Sequence, residues 1–187
     1  DVRASDLVVC CVDEREARNL VNHLCVEEGR TCIIGGAFRR AYGGRVFVYR
    51  PDNGPCLRCF LDQMMIQEDD QEISRPAQAY QIAYSDRPVA IEPGLSTDIL
   101  PLSLMMTKIA LTELLRDRAT TLRSLEADFS APSYLWLNRR ETGTTYEDMK
   151  PLGSQMDSMT ILRWYSLDLD PNPACPVCGD FVGEMMR

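Results

Sequence analysis

The sequence has no apolar run that approaches the about 20 residues needed to span a bilayer, and its opening residues lack the layout of a signal peptide. It also lacks an excess of positive charge, because 20 Lys and Arg stand against 28 Asp and Glu and leave a net charge of −8. Nucleic-acid binding relies on clustered Lys and Arg. We therefore expect no membrane and no nucleic-acid partner, and a cytoplasmic location.

The chain has 187 residues, which suits one ordinary domain and is too short for two. It starts without Met and enters an apolar segment within a few residues, so we expect residues 1–187 to begin inside a larger domain. Histidine is nearly missing: His23 is the single one, and we expect it to be solvated rather than catalytic.

Alternating apolar segments predict an α/β, Rossmann-like fold. Residues 6–12 form the short apolar run of a strand buried on both faces, residues 14–28 carry an apolar stripe at helical spacing, and residues 31–34 form a second buried strand. Such a βαβ unit makes the sheet partly parallel and places ligands beyond the carboxyl ends of its strands. Three later strands add an antiparallel portion, at residues 45–50, as a hairpin or edge strand, and at 134–137 and 161–169.

Other segments are predicted from glycine, charge and apolar content. The pairs Gly35-Gly36 and Gly43-Gly44 indicate turns. Residues 61–90 are polar and acidic, which predicts a mobile loop of the crossover type. Thr97 or Asp98 can cap a helix that has Pro101 in its first turn, and because the body of this helix, residues 102–115, is apolar nearly all round we expect it to be buried.

Eight cysteines are present, and four of them form two CxxC pairs, Cys56 with Cys59 and Cys175 with Cys178. Two such pairs complete the tetrahedral thiolate cage that Zn²⁺ prefers. A redox or disulfide role is the alternative for either pair alone. The sequence thus predicts a four-cysteine zinc site that is structural, because four thiolates leave no open position for a substrate.

Asp13 ends the first predicted strand, and two interpretations of it remain open. It is either the N-cap of the following helix, with Glu16 completing a capping box, or a carboxylate at the sheet crevice that holds the Mg²⁺ of a bound nucleotide. One residue can do both.

Several motifs together resemble the second half of the MoeB, ThiF and HesA proteins, the ubiquitin-activating-like adenylating family. The resemblance covers most of the chain outside about 120–160 and is carried by residues 7–13, 17–22, 34–37, 54–59, 91–94 and 175–178.

The resemblance implies that the complete domain uses Mg-ATP to adenylate the C-terminal glycine of a ubiquitin-like or sulfur-carrier protein. It implies a catalytic and magnesium-side role for Asp13, and a homodimer. Residues 1–187 then correspond to the C-terminal part of a ThiF-type adenylating domain.

The sequence departs from the family pattern at two points. The Gly-rich nucleotide loop lies upstream of the first strand in the family and is missing from these residues, so we expect this chain alone to be inactive. Where thioester-forming members carry a cysteine the sequence has Ala90, and Cys10, Cys11, Cys25 and Cys32 fall in predicted core elements. We therefore expect adenylation without the usual thioester. A non-catalytic, zinc-stabilised protein-binding module is the main alternative, and a dinucleotide-binding protein is a weaker one.

Overall fold

One five-stranded sheet organises the computed structural model, which describes residues 1–51, 54–64, 94–153 and 158–179. Its strands lie in the order β1 to β5 and are β1 (Val8–Cys10), β2 (Cys32–Ala37), β3 (Gly43–Tyr49), β4 (Ser133–Leu137) and β5 (Arg163–Leu167). β1 and β2 are parallel, and each later pair is antiparallel. The predicted α/β fold, with a partly parallel sheet and an antiparallel portion, is confirmed.

Helices cover both faces of the sheet. Successive side chains of a strand point to opposite faces, so Ile34 packs under α1 (Arg15–Glu27) and α2 (Leu57–Met64), whereas Ile33 packs against α3 (Ser96–Leu114). No sequence pattern predicted α2, which includes the first residues of the predicted 61–90 loop. From residue 65 to residue 90 that loop lies outside the described residues.

β1 is an edge strand, and the prediction that it is buried on both faces is wrong. Within the described part of the chain only β2 pairs with it, and Val9 is 45% exposed. For β3 the hairpin alternative is confirmed, because it pairs antiparallel with β2 across the short turn at residues 38–42, and the edge alternative is wrong. β3 lies in the centre of the sheet and is buried along its whole length.

The two glycine pairs lie inside strands and do not form turns. In the β2–β3 register Gly36 faces Arg45 and Ala37 faces Gly44, and the turn between these strands lies at residues 38–42. Glycine is required at positions 35 and 44 because α3 packs closely against the strands there. A Cβ on Gly35 would lie 2.1 Å from the Met106 sulfur, and one on Gly44 would lie 2.4 Å from a Leu102 methyl carbon.

α3 is exposed along one side, so the prediction of a fully buried helix is wrong. Leu102, Met106 and Ile109 pack on the sheet. Four other leucines of this helix are 43% to 61% exposed: Leu100, Leu104, Leu111 and Leu114. We call these four the α3 leucine stripe. No helix in the described ranges is both long and apolar enough to cross a membrane.

Two substitutions in α3 test this orientation. Ile109→Ala should lower the free energy of unfolding by about 2–5 kcal/mol, because it leaves a cavity at a side chain with no exposed surface. Leu111→Ala, two residues away on the exposed side, should cost under about 1 kcal/mol. Urea denaturation of both variants measures the difference. Equal losses would contradict this placement of the helix.

Candidate functional site: a cysteine cluster and a crevice at the sheet edge

The four predicted cysteines meet at one point. The Cys56 sulfur lies 3.9 Å from that of Cys59 and 3.6 Å from that of Cys175, and the Cys59 and Cys178 sulfurs are 3.4 Å apart. All four sulfurs lie within 4.8 Å of one another. Every cysteine of the chain is a free thiol, so the structure brings the two pairs together without a disulfide.

These distances fit a tetrahedral metal ion. Four sulfurs at the Zn–S distance of about 2.3 Å stand about 3.8 Å apart in a tetrahedron. Burial raises the pKa of the Cys56 thiol to about 11, so a thiolate at this position needs a cation beside it. The donor set and its burial are therefore those of a closed metal site with no open position for a substrate.

The backbone around the cluster is shaped to point sulfurs inward. The Asn172 amide donates to the Cys59 sulfur at 3.4 Å, and the Val177 amide donates to the Cys175 sulfur at 3.5 Å. At Gly179 the amide donates to the Cys175 carbonyl at 2.9 Å, and a Cβ there would lie 2.5 Å from the same oxygen. Only glycine fits this turn.

A separate crevice opens at the carboxyl ends of β1 and β2. It has a volume of about 230 Å³ and is lined by residues from the β1–α1 link, α1, β2, the β2–β3 turn, α3 and the residues just before α3. Asp13, Arg18 and Arg40 are its charged lining residues in the described structure. Parallel strands place their ligands at this position.

Asp13 lies in the link between β1 and α1, and its side chain is exposed. The N-cap of α1 is Glu14, which makes no side-chain capping bond. The capping-box interpretation of Asp13 and Glu16 is therefore wrong, because the helix begins one residue later than that interpretation requires.

Arg18 reaches from α1 over the carboxyl ends of the strands. Its Nε donates to the Val12 carbonyl at 2.8 Å. Its two terminal nitrogens lie 3.0 Å from where a Cβ of Gly36 would stand, so the glycine leaves the space that the guanidinium takes. Burial lowers the pKa of Arg18, and the charges of Cys10 and Asp13 raise it. The sequence predicts that Arg18 takes part in helix packing and loop bracing. In the structure Arg18 also lines the crevice.

The β2–β3 turn places Arg40 in the lining of the crevice. Arg40 and Ala41 both adopt left-handed backbone angles, with φ of 49° and 51°. Side chains that follow β4 hold this turn: Glu141 pairs with the Arg40 guanidinium, Arg139 donates to the Arg40 carbonyl, and Asn138 donates to the Ala41 carbonyl at 3.3 Å. No local sequence signal marks these partners, because they lie about 100 positions away along the chain.

The cysteines outside the cluster divide into two groups. Cys10, Cys25 and Cys32 are buried, as predicted, but Cys11 is exposed and lines the crevice, so its predicted core position is wrong. Ala90 lies outside the described residues. His23 is half exposed and pairs with Glu27 at 3.3 Å, away from the crevice lining.

The fold is that of solved Escherichia coli MccB structures. A crystal structure of E. coli MccB with MccA-N7isoASN matches 93% of this chain and 41% of its own, with a TM-score of 0.52 at 13% identity. A second, E. coli MccB with ATP, matches 93% of this chain and 39% of its own, with a TM-score of 0.50 at 14% identity.

Two sequence relatives match short stretches of this chain. Adenylyltransferase and sulfurtransferase MOCS3 of Mus musculus is 43% identical over 58 residues, which are 31% of this chain and 12% of the mouse protein. Ubiquitin-like modifier-activating enzyme 5 of Branchiostoma floridae is 39% identical over 57 residues, 30% of this chain and 14% of that protein. These shares show that the matched stretch is a small part of each relative. The sequence profile of the ThiF family matches residues 2–159, which is most of the chain, and the chain therefore belongs to the ThiF family.

Proposed function

We propose that this chain is part of an ATP-dependent activating enzyme that adenylates the C-terminal glycine of a ubiquitin-like or sulfur-carrier protein. The observation that carries the proposal is the exposed Asp13 carboxylate in a crevice whose other charged lining residues, among those described, are Arg18 and Arg40. A carboxylate beside two guanidinium groups suits a cation together with phosphates and a terminal carboxylate. Membership of the ThiF family and the names of the two relatives support the same activity.

When bound, Mg-ATP supplies the electrophilic α-phosphorus and the magnesium charge. Asp13 would hold the cation, because oxygen ligands together with water suit Mg²⁺. Arg18, fixed through its bond to the Val12 carbonyl, would attract phosphate oxygens at the strand ends. Arg40, fixed by Glu141, would attract negative charge from the β2–β3 turn. Such groups act by positioning and by stabilising the charge that develops during transfer.

The crevice as described is part of a larger nucleotide site. Its volume of about 230 Å³ is below the roughly 300–1,000 Å³ of ordinary ligand pockets. The link from β1 to α1, residues 11–14, contains no glycine and cannot cradle phosphates as a Gly-rich loop does. In our proposal the phosphate-binding loop comes from the nucleotide-binding half of the domain, and residues 1–187 alone are inactive.

That half would dock on the open edge of β1. Parallel strands are normally buried on both faces, yet Val9 is exposed and the α3 leucine stripe is uncovered. An added strand on β1 and a helix beside it would cover both features. E. coli MccB, of which this chain matches about two fifths, is long enough to contain such a half.

Further parts of the proposal follow the family resemblance. The metal of the cysteine cluster is zinc, because four thiolates in tetrahedral array select this ion. The enzyme is a cytoplasmic homodimer, and it transfers no acyl group through the position of Ala90.

A non-catalytic, zinc-stabilised binding module is the second candidate. The absence of a Gly-rich loop between β1 and α1 favours it for this chain taken alone. The placement of Asp13 favours the enzyme, since a binding module has no need of a carboxylate at the carboxyl end of a parallel strand.

Asp13→Asn in the whole protein should reduce ATP–pyrophosphate exchange by about 100-fold or more, because the carboxylate that holds the cation is lost. Its stability should stay within about 0.5 kcal/mol of the parent, as for other exposed substitutions. Glu14→Gln, a matched change at the next residue, should keep exchange within twofold. Full exchange in the Asp13 variant would reject its catalytic role, and no exchange in the parent protein would favour the binding module.

Metal analysis tests the zinc site. Plasma emission spectroscopy should find one zinc per chain, and Cys59→Ser should lose it and unfold at lower temperature, because structural zinc contributes on the order of 10 kcal/mol of binding energy to the fold. Cys11→Ser removes an exposed thiol outside the cluster and should keep both zinc and melting temperature. A chain that folds equally well without metal would contradict the proposal.

Leu104→Asp tests the docking edge. In residues 1–187 alone it should change stability by under about 0.5 kcal/mol, because this side chain is 61% exposed. In the whole protein the same charge would be buried and should cost about 2 kcal/mol or more. Leu152→Asp, at an equally exposed leucine (62%) outside α3, controls for the added charge. Equal effects of Leu104→Asp in both proteins would show that nothing covers the stripe.

A further inference from the structure

Asn22 is a buried polar residue between the cysteine cluster and the crevice. It lies in α1, is 2% exposed, and its Oδ1 accepts a hydrogen bond of 2.9 Å from the Leu57 backbone amide. Leu57 is the first residue of α2, and the leading amides of a helix have no partner within the helix. Asn22 thus caps α2 from another element of the fold.

The capped turn is the one that carries two metal ligands. Cys56 immediately precedes α2 and Cys59 lies in its first turn. A metal at the cluster fixes this turn through the two sulfurs, and Asn22 ties the same turn to α1. A movement of Cys56 and Cys59 would therefore be transmitted to α1 through the hydrogen bond between Asn22 and Leu57.

The crevice depends on the same helix. Arg18 precedes Asn22 by four residues, so both side chains project from one side of α1. Arg18 donates to the Val12 carbonyl at 2.8 Å, directly before Asp13. Cys10, two residues earlier in β1, is 4% exposed and packs in the same apolar cluster as Cys25 of α1 and Cys56.

We propose that Asn22 is a positioning residue that couples metal binding at the cysteine cluster to the placement of Arg18 and the Val12–Asp13 link. Metal binding then does more than attach the end of the chain to α2. The occupancy of the cysteine cluster also sets the geometry of the crevice, through one side-chain hydrogen bond. The inference relies on the proposed function only in taking that crevice for the active site. Neither measurement below uses ATP or a carrier protein, so the two proposals can fail separately.

The test uses the zinc-loaded chain and two readouts. Competition with a chromogenic chelator gives the zinc affinity. Alkylation by iodoacetamide, followed by peptide mapping, gives the rate at the buried Cys10 relative to N-acetylcysteine added to the same reaction as a standard. Asn22→Leu keeps the side-chain size and removes the acceptor. Asn19→Ala, an exposed asparagine of the same helix, is the matched control.

Asn22→Leu should weaken zinc binding about five- to tenfold and raise the relative Cys10 rate by a similar factor, as expected for one buried hydrogen bond. Asn19→Ala should change neither. A loss of zinc affinity with unchanged Cys10 protection would overturn the proposal, since Asn22 would then serve the cluster alone. Unchanged zinc affinity would overturn it as well.

Arg18→Met supplies the reciprocal test and keeps the proposal testable if Asn22→Leu does not fold. Coupling between two sites acts equally in both directions, so loss of the Arg18–Val12 bond should weaken zinc binding about two- to fivefold although Arg18 is not a ligand. Zinc affinity within 1.5-fold of the parent, on the order of measurement error, would show that the two sites are independent.

Discussion

The packing of the sheet face that carries α1 and α2 depends on the four clustered sulfurs. Cys56, Cys59 and Cys175 are buried in the same apolar cluster as Phe47 and Phe60, so the ligands also serve as core residues. Four thiolates this close together repel one another, and they remain together only around a cation. A metal bound by these sulfurs would hold α2 on the sheet and join it to residues 171–179.

Local sequence patterns predicted the features that depend on near neighbours. The two CxxC pairs, the β1–α1–β2 unit and the strands at 133–137 and 163–167 follow from spacing and apolar periodicity alone. Features that depend on distant residues were missed or misjudged. Gly35 and Gly44 look like turn residues, yet their role is to admit Met106 and Leu102 of α3, which no short sequence window contains.

In the crevice, too, some residues could be predicted from their neighbours in the sequence and others could not. Asp13 could be singled out because a carboxylate after a buried strand is a local signal. The position of Arg18 could not be predicted, because its guanidinium occupies the space that any side chain larger than that of Gly36 in β2 would fill. The exposure of β1 and of the α3 leucine stripe was not predicted for a different reason: an apolar pattern favours burial but does not show which residues would cover the surface.

The β2–β3 turn has a consequence for how this family can vary. Arg40 and Ala41 occupy left-handed conformations that cost non-glycine residues on the order of 1 kcal/mol each, and the groups that hold them follow β4. A change at Arg139 or Glu141 releases the turn, and a glycine at position 41 removes much of the need for them. Among related sequences these two segments should therefore change together, as a correlated pair separated by about 100 positions.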